Sequence, residues 1–166
     1  METTINTPTV ITSEALLAHW QGHRSLTRRV IEAFPEDRLF GYSIGGMRPF
    51  AGLALEMISM AGPGVRGAAT GNWDQLDELG HRSGKGAPDS KEALLEAWDR
   101  ATEQINVWWP QIPAGRFQET DNVFNAYPAT ICTAILYLID NEIHHRGQGY
   151  VYLRALGIEP PAFWER

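Results

Sequence analysis

Residues 137–157 read YLIDNEIHHRGQGYVYLRALG, and the direction in which this run faces decides the fold. On a helix that turns 100° per residue, Asn141 and His145 lie about 40° apart, one turn above the other. Ala134, Leu138, Gln148 and Tyr152 fall within roughly 60° of Asn141 on the same face. Asn141 and His145 therefore belong to the stripe that turns toward a bundle interior. Glu142 lies about 100° from Asn141 and His144 about 60° to its other side, so both flank the stripe, while Arg146 points away from it. The cluster is not one solvated patch.

Working outward, the last helix opens near Pro128 and runs to about Leu156, with Gly157 as its stop. Three earlier helices carry the same periodicity. The first runs from Ser13, a plausible N-cap, through Leu16, Trp20, His23, Thr27 and Val30 to Phe34, where Pro35 ends it. The second starts at Pro49, shows Leu53, Glu56, Met57 and Met60 on one stripe, and breaks at Gly62-Pro63-Gly64. The third follows a capping-box-like Asp89…Glu92, carries Leu94, Trp98, Ala101, Ile105 and Trp108, and stops at Pro110.

Long connections join these helices. Gly71 to Pro88 is glycine-rich and polar, anchored by Trp73 and Leu76, with one short helix expected around 73–79 and His81 expected in solvent. Residues 110–128 form a second loop, in which Phe117, Val123 and Phe124 are expected to cover an end or edge of the bundle. No convincing strand pattern is present. The expectation is an all-α, up-and-down type four-helix bundle with long connections, one domain over 1–166 with a flexible segment at 1–12.

The 166 residues, 43% hydrophobic and 20% charged, are enough for a real core. A net charge of -6 without a Lys/Arg run argues against nucleic acid and anionic membranes as partners. Cys132 is the only cysteine, which excludes an intramolecular disulfide. The N-terminus lacks the pattern of a secretory signal, and the apolar run 131–139 is too short for a bilayer span, so a cytoplasmic protein is expected. A Ser-His-Asp pattern, a phosphate loop, a CxxC and a dinucleotide fingerprint are all absent.

An interior Glu56 opposite an interior His145 needs explaining, because burying either without a partner is costly. A metal, an arginine, or a protonated Glu56 bonded to His145 each meets the need. An ordinary satisfied interior network is the simplest alternative. Gly147 and Gly149 each cost the helix about 1 kcal/mol relative to Ala, which points to close approach of another backbone or helix, above all at Gly149. Arg146 and Gln148 are candidates to tie the last helix to neighbouring backbone or to a dimer partner, and Cys132 reads as a small buried residue.

The run EIHHRGQGYVYLRALGIEPP resembles the end of the last helix in the DinB-like (YfiT-like) superfamily of damage-inducible four-helix-bundle metalloproteins. Chain length and helix order resemble that family too, but only the last-helix motif is sharp. The resemblance implies a divalent metal held by three histidines, one on the second helix and two on the last at i and i+4. Here these positions are Glu56, Asn141 and His145, so two of the three usual imidazoles are replaced. Such a set leans toward zinc, manganese, iron or magnesium and away from nickel. The resemblance further implies a metal-dependent thiol transferase or hydrolase linked to stress or detoxification. A low-molecular-weight thiol and an electrophilic small molecule would be its substrates, and Glu142 and His144 would be second-shell or substrate-facing groups. It also implies a homodimer packed through helix faces. The competing reading is a non-catalytic, stress-associated bundle whose metal site has decayed into a Glu56–His145 hydrogen bond.

Overall fold

The computed structural model describes residues 10–166, so most of the segment expected to be flexible, residues 1–9, lies outside the described residues. Four long helices form the body: α1 (Ser13–Ala33), α3 (Phe50–Thr70), α5 (Lys91–Trp108) and α6 (Ile131–Ala155), with two short helices, α2 (Glu36–Gly41) and α4 (Gly80–Ser83), in the connections. A hairpin of β1 (Thr120–Val123) and β2 (Tyr127–Thr130) precedes α6. None of the described helices is long and apolar enough to cross a membrane.

Local chemistry sets the helix ends. The hydroxyl of Thr12, one residue before the expected cap, accepts from Ala15 N at 3.1 Å and starts α1. Ser90 does the same for α5 through Ala93 N, in place of the expected Asp89. Helix α3 continues through Gly62-Pro63-Gly64 to Thr70, where Gly71 at φ 75° ends it. An interior proline costs roughly 3 kcal/mol, so packing must outweigh it. Gly62 lies against Gln104 of α5 and Gly64 against Leu138 of α6, each so closely that a Cβ would collide, and Phe124 of the hairpin packs on Gly64 as well. Gly62 and Gly64, read as part of a breaker, are what let α3 sit close against its neighbours.

Side-chain pairs fix the helix directions. From Ser13–Trp109 through Arg24–Thr102 to Arg28–Asp99, α1 runs antiparallel to α5. Trp20–Glu142 and His23–Arg146 make α1 parallel to α6, and Met60–Asn141 with Glu56–His145 makes α3 antiparallel to α6. The order is therefore up-down-down-up, not up-and-down throughout, because α3 and α5 point the same way. The long 71–90 connection makes this possible by running back along α3: Asp74 pairs with Arg66, and His81 reaches Ser59.

Helix α6 begins at Ile131 rather than near Pro128, which lies in β2 opposite Asn122. A two-stranded hairpin has only edge strands, so a proline is tolerated there. Val123 and Phe124 are buried under the bundle end as expected. The core forms two apolar halves, one around Trp20, Val65, Ile105, Phe124 and Ile135, the other around Val30, Phe34, Phe50, Leu53, Trp98 and Tyr152. A polar layer separates them. Gly149 backs onto the Phe50 ring, which occupies the space a Cβ would need. Gly149→Ala should therefore destabilise the protein by about 1–3 kcal/mol despite its better helix propensity, as read by urea unfolding.

Candidate functional site

The polar layer has two sides, and α6 supplies both. On the α3 side, Pro49 starts α3 so that Met47 and Arg48 lie beside its first turns. Glu56 follows two turns into the helix, half-buried, with its carboxylate aimed at α6. His145 Nε2 lies 3.2 Å from Glu56 Oε1, and the Arg48 guanidinium donates to Oε2 at 2.5 Å. The bond to His145 and then the Arg48 contact outweigh burial and hold the Glu56 carboxyl down at about 2. The other ring nitrogen, His145 Nδ1, lies 2.7 Å from Gln148 Oε1. The Gln148 amide nitrogen faces Met47 Sδ at 3.1 Å, so its oxygen is turned to the ring and Nδ1 is the protonated nitrogen of that pair.

Other residues stand nearby. Asn141 is half-buried one turn before His145, and its amide donates to Met60 Sδ at 3.7 Å instead of joining Glu56 or His145. His81 is half-buried rather than in solvent, with Nδ1 2.5 Å from Ser59 Oγ. Burial pushes its pKa down, against the pull of the Glu56 carboxylate. No periodicity could have shown this, because His81 arrives from a connection that folds back along α3. His144 is exposed, its ring centroid 5.0 Å from that of His145.

On the α1 side, Glu142 is buried and does not border the Glu56–His145 pair. Its carboxylate accepts from Thr27 Oγ1 at 2.8 Å, Trp20 Nε1 at 3.2 Å and Arg24 at 3.4 Å. Arg24 also donates to Thr102 and to the Trp98 carbonyl, and lies over the Trp98 ring 3.4 Å from its centroid. Arg146, expected to point away, is buried as well and donates to His23 Nδ1 at 2.9 Å, the His23 carbonyl and Thr27. The expected outward direction fails because α1 covers that face of α6. Cys132 is half-buried, less enclosed than expected.

A metal centre of the kind the resemblance implies can be tested against these donors. Among the described residues, no three His, Cys, Asp or Glu side chains gather to hold an ion. No buried side-chain nitrogen or oxygen among them lacks a partner. Both carboxylate oxygens of Glu56 are engaged, one by a cation, and Asn141 is turned to a thioether. In this arrangement Glu56 and His145 face each other and Asn141 does not join them.

Two consequences follow for stability. Glu142→Gln leaves Arg24 buried without its counter-charge and should cost about 3–5 kcal/mol in chemical unfolding. Burial, then Arg146, His19 and Arg166, lowers the His23 pKa to about 4 from 6.5. As pH falls, the unfolded chain takes up this proton first. Stability should thus be full above pH 6.5 and decline toward pH 4, and His23→Gln should flatten thermal unfolding midpoints across that window.

The sequence model of the DinB family matches residues 1–166. No curated protein matches the sequence. Solved structures share the fold, two DinB-like proteins among them. A DinB-like protein from Bacillus cereus ATCC 10987 has a TM-score of 0.67 at 16% identity, over 90% of this chain and 95% of that one. The DinB-like protein YjoA from Bacillus subtilis has a TM-score of 0.70 at 16% identity, over 91% and 99%. At such identity the structures speak for the fold alone, and the family rests on the sequence match. With that match running its full length, the chain belongs to the DinB family.

Proposed function

We propose that this DinB-family chain keeps the family's bundle and works without a resident metal, as a non-catalytic, stress-associated helical protein. In this reading Arg48, Glu56, His145 and Gln148 form a closed network that fastens α3 to α6. The observation that carries it is the Glu56 carboxylate, shared between His145 at 3.2 Å and the Arg48 guanidinium at 2.5 Å. The arginine already supplies the positive charge that a metal would bring. His145 Nε2, 3.2 Å from the other carboxylate oxygen, completes the contact between the two helices.

One observation favours a second reading, in which Glu56 and His145, with Asn141, hold a divalent zinc, manganese, iron or nickel ion. With Nδ1 donating to Gln148, the Nε2 lone pair faces a carboxylate oxygen, and a hydrogen bond on the distal nitrogen commonly orients a ligating histidine. Thiol transfer or hydrolysis, as the resemblance implies, belongs to that reading only.

Elemental analysis of untagged protein purified without chelators separates the two, alongside zinc, nickel and manganese titrations and a His145→Ala variant. The first reading expects metal-free protein that takes up none of the three, with His145→Ala costing about 1–3 kcal/mol in unfolding. Near-stoichiometric metal that disappears in His145→Ala would overturn it in favour of the second.

A further inference from the structure

Where α1 begins, α5 ends and α6 begins, an open cleft of about 1190 Å³ enters the bundle. One stripe of α1 makes a wall, with Glu14, Leu17 and Gln21 at steps of three and four residues. The floor is core: Leu16, Trp109 and Ile112 keep only 5%, 4% and 8% of their surface exposed. Phe117, half-buried in the segment Ala114–Gln118, sets its ring 5.8 Å from that of Trp109, and Cys132 in the first turn of α6 closes one side. Sites for small molecules usually enclose about 300–1,000 Å³ and are lined by apolar side chains with a few placed polar groups. This cleft has that character and room for an extended apolar body, its α1 wall running about 10 Å from Glu14 to Gln21.

Polar groups on its border are committed to one another. Gln21 Nε2 donates to Asn106 Oδ1 at 2.6 Å, and Trp109 Nε1 to Ser13 Oγ at 3.0 Å. Glu14 differs: it is exposed and has no ion-pair partner among the described residues. Among those residues no lysine or arginine lines the cleft, so the Glu14 carboxylate is its one charge. An anionic amphiphile such as a fatty acid would find no cation there and would meet a like charge. We propose that the cleft binds a small amphiphilic amine, its hydrocarbon body against Leu16, Leu17, Trp109, Ile112 and Phe117 and its ammonium group at Glu14. Apolar contact supplies the affinity and the carboxylate selects the head group. Glu14 and Leu17 are neighbours on the helix surface, which puts head and body within reach of one molecule. The inference goes beyond the metal-free reading and does not rest on it. Cys132 and His145 stand thirteen residues, about 20 Å, apart on α6, so the state of the Glu56–His145 pair does not enter.

Isothermal titration calorimetry would compare nonylamine, nonanol and nonanoate, which share one apolar body and differ in head group, all kept below micelle concentrations. Expected is saturable binding of one equivalent of nonylamine, about three- to fivefold tighter than nonanol, with nonanoate weakest. Glu14→Gln should bring nonylamine down to the affinity of nonanol, and high salt should do the same to the wild type. Leu17→Gln should weaken both compounds together by about tenfold. Alkylation of Cys132 by N-ethylmaleimide would locate the site, since this thiol is the only one in the chain and lines the cleft. Saturating nonylamine should slow that reaction in the wild type and leave it unchanged at the same concentration in Leu17→Gln. Circular dichroism would verify that both variants are folded. A wild type that takes up none of the three compounds would overturn the proposal. So would nonanol or nonanoate binding as tightly as nonylamine, a Glu14→Gln variant with undiminished preference for the amine, or alkylation of Cys132 that nonylamine does not slow.

Discussion

A carboxylate sits at the centre of this bundle. Glu142 is buried at mid-height of α6, and an unpaired charge there would cost several kcal/mol. Its neighbours answer that cost from two other helices. Thr27, Trp20 and Arg24 come from α1, and Arg24 is itself held by Thr102 and the Trp98 carbonyl of α5. Helices α1, α5 and α6 are therefore locked in register by one group of hydrogen bonds, with the apolar halves packed above and below. A hydrophobic core alone tolerates sliding and rotation more readily than a directional network does, and here the network crosses the bundle where such sliding would begin.

The α3 side of the layer solves a similar problem with less burial. Glu56 is half-buried and Arg48 half-exposed, so the Arg48–Glu56 pair is partly screened and contributes less than a fully enclosed one. What enclosure it lacks is made up by connectivity: Met47, Arg48, Glu56, His145 and Gln148 form a chain that returns to the segment it left. The folded-back 71–90 connection brings Ser59–His81 up beside it. The charge balance on this side thus depends on groups before, within and after α3. That balance decides whether a cation is welcome.

Much of this was legible in the sequence, for identifiable reasons. The four helices and the inward stripe holding Asn141 and His145 follow from periodicity, which burial enforces directly. The pairing of Glu56 with His145 was foreseeable because two interior polar groups on different helices need partners. Helix directions were not legible, since either order buries the same stripes; only the length of the 71–90 connection hinted that α3 and α5 could run parallel. Gly62-Pro63-Gly64 misled because propensity is local, whereas the close packing on Gln104, Leu138 and Phe124 that overrides it is tertiary. Arg146 misled for a related reason. Long basic side chains are usually solvated, and only the assembled α1 shows that this one is enclosed.

The alternation of polar residues between 140 and 149 has a single geometric origin. Each step of 100° moves the side chain to a new environment. Asp140 faces outward, Asn141 faces α3, and Glu142 faces α1. One turn later the sequence repeats: His144 is exposed, His145 meets Glu56 of α3, and Arg146 meets His23 and Thr27 of α1. The two glycines continue the scheme, Gly147 outward and Gly149 against Phe50 of α3. A motif that looks like one dense site is three interleaved ones, each with two or three members. This explains why α6 as a whole has little amphipathic character while each of its faces is chemically distinct. It also explains why Asn141 and the Glu142 network are independent: the two lie on different sides of the helix and share no partner.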